Sequence, residues 1–205
     1  NEVSVSLAQE SVLIMGELGK RFDTRVNAIL KKFSSIFNDT KTYLYDYAII
    51  SLKTIFASGV KIDSAELTEC LSHLENMVDY VKSDRAQISF IWLLSHFHNK
   101  IDSSSYLLEK FVYELEAGEK SEEFKLQLIN SVVYSFLKKP KEMLPILHKL
   151  FSVVLSAENE SHVVTSKVRL YWTAMQEDIN TFERTFCEFF ETLNVDNTED
   201  EATIE

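Results

Sequence analysis

The chain has 205 residues, 45% of them hydrophobic and 26% charged, long enough to bury a sizeable core as an ordinary folded protein. Thirty-two acidic against 21 basic side chains give a net charge of −11, which excludes a nucleic-acid backbone as the main partner. Only four glycines and two prolines are present, too few for the tight turns of sheet proteins, so the composition points to an all-α fold.

In chain order, the first apolar stripe is Leu7, Ser11, Ile14, Met15 and Leu18, and the next is Val26, Ile29, Leu30, Phe33 and Phe37. Leu44, Tyr47, Ala48, Ser51 and Ile55 follow, then Leu67, Cys70, Leu71, Leu74 and Val78. Spacing of three, four and seven puts each set on one helix face, which is expected to be covered. The same pattern runs through Ile88, Ile91, Trp92 and Ser95, through Leu108, Phe111, Val112 and Leu115, and through Leu126, Ile129, Val133 and Phe136. It closes with Leu144 to Leu155, Val164 to Met175, and Ile179 to Leu193, predicting about ten helices.

The punctuation supports these elements. Gly19, Gly59 and Gly118 each follow an apolar stripe and are expected to end helices. Asp63 with Glu66 resembles a capping box, and Ser121 and Ser161 stand at expected N-caps. Pro140 suits a first helical turn, whereas Pro145 should kink its helix or delay its start by a turn.

First members of successive pairs begin near Val5, Lys41, Asp84, Ser121 and Ser161, a spacing of two-helix HEAT or armadillo repeats. Phe90, Leu93, Leu94 and Phe97 add a second stripe beside that of Trp92, as in a helix sandwiched between repeats. The expected architecture is a right-handed α-solenoid of about five helix pairs over residues 1–193. Residues 194–205 read as an acidic, disordered tail or linker.

The search for chemistry returns little. His96 and His98 point away from each other on a helix and cannot share a metal, and no other cluster offers three or four zinc ligands. No glycine-rich phosphate loop or nucleophile elbow is present, and Cys70 and Cys187 read as buried thiols. Neither an enzyme nor a cofactor is expected. No run approaches the ~18 apolar residues of a membrane span and no signal pattern opens the chain, so the expected location is cytosolic.

Two features could bind. Lys138, Lys139 and Lys141 form a basic knot, with Lys31 and Lys32 a smaller one; both suit solvated helix ends, or contact with an acidic partner or lipid. Phe182, Phe186, Phe189 and Phe190 read mainly as core and could leave an apolar patch at a solenoid's end.

Three stretches resemble the trunk of β-adaptins, the large β subunits of clathrin-type adaptor complexes. FIWLLSHFHNKID, from Phe90 to Asp102, with YLLEKFV, from Tyr106 to Val112, is the first. LQLINSVVYSFLKKP, from Leu126 to Pro140, and VRLYWTAM, from Val168 to Met175, are the others. The chain departs from that pattern at Ser95 and His96, at Ser166 and Lys167, and at Pro145. The resemblance implies the C-terminal part of a trunk that holds medium, small and second large subunits for cargo selection. It also implies membrane association through the assembled complex only, on Golgi, endosomal or coated-vesicle membranes. A COPI coat subunit or a transport-receptor-like solenoid is the alternative.

Overall fold

In the computed structural model residues 2–39, 41–62 and 64–196 are described, and among them every regular element is a helix. Five pairs succeed one another. The first is α1 (Glu2–Arg21) with α2 (Val26–Phe37), joined by a 3-10 turn at Asp23–Arg25. The second is α3 (Tyr45–Ala57) with α4 (Ala65–Ser72), continued by the single turn α5 (Leu74–Met77). Then come α6 (Asp84–His96) with α7 (Ser104–Ala117), α8 (Glu122–Lys138) with α9 (Pro140–Ser156), and α10 (His162–Glu177) with α11 (Ile179–Asp196).

The starts follow local chemistry. Ser64, Ser83, Ser121 and Ser161 take extended backbone and accept from the amides of Leu67, Ala86, Phe124 and Val163. Each thereby satisfies one donor that a helix N-terminus leaves orphaned. The cap of α4 is Ser64, which reaches the amide of the third helical residue; Asp63 lies outside the described residues. Glu66 reaches instead to Lys31, 3.1 Å away.

One expectation is corrected, and of the two alternatives for Pro145 the delayed start is excluded. Gly59 does end α3 with φ +82°, but Gly19 lies inside α1, where an added Cβ would come within 2.7 Å of Ile55. Gly16 has the same role one turn earlier, since its missing Cβ leaves room for Ser51, whose hydroxyl donates to the Val12 carbonyl at 2.9 Å. These glycines let α1 and α3 approach closely. Pro145 does not delay α9, which begins at Pro140; it lies on the solvent side of the helix, where water can satisfy the Lys141 carbonyl its ring orphans.

The first helices α1, α3, α6 and α8 stack in sequence as one layer, and α2 on α4 and α7 on α9 form the other. Among the described residues, side-chain hydrogen bonds that span more than ten residues join positions 31 to 41 apart, one repeat on. The clearest series sits where successive first helices begin. Asp46 accepts from the amides of Lys82 and Ser83, Asp84 accepts from the Ser121 hydroxyl, and Lys125 donates to both oxygens of Glu160 at 2.9 Å. Bonds of such uniform reach define a solenoid, because a closed bundle would also tie distant segments.

The sandwiched helix is α6. Phe90, Ile91, Trp92, Leu93 and Leu94 are all buried, on opposite faces, with Phe90 edge-on to Phe111 of its own pair. The expected covering of the first stripe fails: Leu7, Ile14 and Leu18 are exposed, and Val3 and Phe22 with them. Nothing among the described residues stacks on the outer side of α1, and it is Val12 that faces α3. At the other end α11 departs from strict stacking and packs on α8 and α10. It runs to Asp196, three residues beyond the expected end of the repeats, and the rest of the expected acidic tail lies outside the described residues.

Candidate docking surfaces

The basic knot forms at the junction of α8 and α9, where the chain reverses and Pro140 opens the new helix. Its three lysines do not act alike. Lys139 is half-buried and donates to the His98 carbonyl at 2.9 Å, which ties the end of α8 to the end of α6. Lys138 lies over the Tyr134 ring, 5.4 Å from its centroid, and Lys141 is exposed on the first turn of α9. Lys139 is thus part of the fold, while Lys138 and Lys141 are exposed. Lys31 is paired with Glu66, and Lys32 is exposed.

Beside the knot, His98 is buried against Tyr134, edge to face at 5.8 Å, with Nδ1 3.0 Å from the Ser95 carbonyl. Burial pushes its pKa below the ordinary histidine range, and the cations of Lys139 and Lys138 add to that. His96 stacks instead on Trp92 at 4.5 Å, and because α6 ends at His96 the two imidazoles are separated by the turn that follows the helix and not by helical geometry. Among the described residues no three His, Cys, Asp or Glu side chains converge as a metal site. Both cysteines are buried and free, and burial pushes the Cys70 thiol up to about 12, leaving it a protonated core group at neutral pH.

The aromatic run of α11 is mostly core, as its spacing suggests. Phe186 and Phe190 are buried, Phe186 packing edge-on to Tyr171 and Phe190 stacking on Tyr134 at 4.6 Å. Phe189 remains exposed. Tyr171 donates to the Asn130 side chain at 3.0 Å, and burial raises its phenol to about 12. Together these contacts fix the last pair onto α8.

A groove of about 920 Å³ that the sequence did not reveal crosses the first-helix layer from α3 to α10. Its aliphatic lining is one residue per repeat: Ile50, Ile88 and Leu126, each 38 residues after the last. Lys53, Arg85 and Lys167 line it as cations. The equal spacing is visible in the sequence once the repeat is known, but the shared concavity is a property of four stacked helices.

Five pairs of stacked helices with an open groove, and with no convergent catalytic or metal-binding set among the described residues, define an α-solenoid of the kind that binds along its length. No family profile matches the chain. Over 178 residues, 86% of its length, it is 24% identical to AP-1 complex subunit beta-1 of Mus musculus and equally to that of Homo sapiens. With AP-1 complex subunit beta of Dictyostelium discoideum it shares 21% over 177 residues. The chain spans 18% of the length of these relatives. Along most of its length the chain is thus similar, distantly, to the β subunits of AP-1 complexes.

Proposed function

We propose that this chain is a non-catalytic scaffold segment of a vesicle-coat adaptor complex, holding partner subunits in place for cargo selection in intracellular protein transport. The observation that carries the reading is likeness to AP-1 β subunits along 86% of the chain, on a fold whose described elements match the repeat pattern. The trunk-like repeat unit corresponds to residues 1–193, with α11 ending at Asp196 and the acidic sequence after it outside the described residues. The partners are the medium, small and second large chains of the complex.

The open face of α1 supports a part played within a longer stack. The outer side of α1 presents Val3, Leu7, Ile14, Leu18 and Phe22 to solvent, a stripe suited to packing against a further helix. No helix among the described residues is long and apolar enough to cross a membrane, so attachment to Golgi, endosomal or vesicle membranes would come through the assembled complex. Lys138 and Lys141 are the side chains of the knot available to an acidic partner or lipid head group.

Co-expression of the chain with an adaptor medium subunit from the same source tests the proposal. Co-purification in a stoichiometric complex is the expected result. A folded chain that passes through such a purification alone, while a β-adaptin trunk retains the medium subunit, would overturn it.

A further inference from the structure

We propose that the groove across α3, α6, α8 and α10 binds an extended, acidic segment of a partner protein that carries an apolar residue at every third position. The inference rests on the groove itself and not on the adaptor reading.

The first argument is spacing. Ile50, Ile88 and Leu126 occupy the same place on three successive helices, so they form a ladder whose rungs are one helix apart. Packed helices stand about 8–10 Å apart. A polyproline-II strand advances about 9.3 Å in one turn of three residues, returning a side chain to the same face at each turn. Such a strand can lay successive apolar side chains on successive rungs. A helical ligand, with apolar positions about 5–6 Å apart along one face, would fall out of register.

Charge supplies the second argument. The protein is acidic, and several of its lysines have carboxylate partners: Lys31 with Glu66, Lys120 with Glu114, Lys125 with Glu160 and Lys149 with Glu116. Lys138 and Lys141 at the knot are exposed to water, whereas the groove holds a cation that is half-buried. Lys167 is half-buried there with the Tyr171 ring beside it, 5.7 Å away, and among the described residues neither Lys167 nor Arg85 has a carboxylate within ion-pair distance. Desolvation lowers the pKa of Lys167, the mark of a cation removed from water without compensation. Of the two carboxylates in the lining, Asp84 is engaged by the Ser121 hydroxyl and Glu123 is solvent-exposed. Carboxylates on an incoming strand would complete the site.

The test uses the 205-residue protein and a fluorescein-labelled peptide of four Leu-Pro-Glu repeats, which holds the extended form and sets leucine at every third position. Fluorescence anisotropy should show saturable binding that weakens with added salt. R85E and K167E should each weaken it at least tenfold, while K149E, outside the groove, leaves it unchanged. A peptide of the same composition with its leucines clustered should bind at least tenfold more weakly. Circular dichroism melts of each variant confirm folding, and both groove substitutions are at residues that are exposed or half-buried.

Indifference to R85E and K167E, or equal affinity for the clustered peptide, would overturn the proposal. So would an absence of saturable binding by the folded wild type. A gain of more than tenfold on removal of residues 197–205 would assign the groove to the chain's own acidic terminus and overturn the partner assignment. Failure to bind a medium subunit, by contrast, would sink the adaptor reading and leave the peptide result standing.

Discussion

Helices α1 and α6 carry the same kind of sequence, apolar on two faces, yet they meet different fates. In α6 both faces are covered, and Trp92 keeps 1% of its exposure between α3 and α8. In α1 one face is locked onto α3 through Gly16, Gly19 and Val12, while on the other Leu7 keeps 63%. The pattern of a helix specifies how many neighbours it can accept, and its place in the stack decides how many it receives.

The comparison can be broken at its strongest point first. Trp92→Ala should cost about 3–5 kcal/mol in urea unfolding, since the cavity lies between helices fixed by their other contacts. A loss near that of a surface substitution would show that α6 is not clamped. Gly16→Val should cost about 1–3 kcal/mol, because the new side chain meets the Cβ and Cα of Ser51 at 2.7 and 2.9 Å. An unchanged midpoint would mean that α1 and α3 can separate freely.

A smaller effect comes from His98, which packs against α8 at the end of α6. Its folded pKa is lowered, so between that value and its ordinary one the unfolded chain binds more protons, and stability rises with pH there. Melting temperature should therefore fall from about pH 7.5 to about pH 5.5. The fall should be smaller in His98→Gln, and equal falls in both proteins would remove His98 as the cause. Least of all, Leu7→Ser on the open face of α1 should stay within about 0.5 kcal/mol of the wild type. A loss comparable with that of Trp92→Ala would reveal a neighbour covering that face.

Much of the fold was legible because local chemistry and repeat pattern agree. Ser121 and Ser161 were recognisable caps, and the paired stripes of α6 announced a sandwiched helix. Gly19 misled, because a glycine that ends a helix and one that admits a neighbour look alike until the neighbour is known. Ser64 caps α4 although the sequence pattern had not singled it out from its polar cluster. The exposure of Leu7, Ile14 and Leu18 was invisible to periodicity, which reports that a face is apolar and not what lies against it. Of the candidate surfaces, the lysine knot was found from its residues alone, although only geometry distinguished Lys139 from Lys138 and Lys141. The groove escaped notice because its lining comes from four helices and no single one carries a motif.

The uniform reach of the cross-repeat bonds, from Asp46 to Ser83 and from Lys125 to Glu160, has a bearing on how the molecule assembles and comes apart. Ordering one pair of helices requires closing loops of only a few dozen residues, so structure can nucleate in the interior and spread outward by adding neighbours. Amide exchange should accordingly be slowest around α6 and α8 and quicken towards both termini, a gradient of protection laid along the chain.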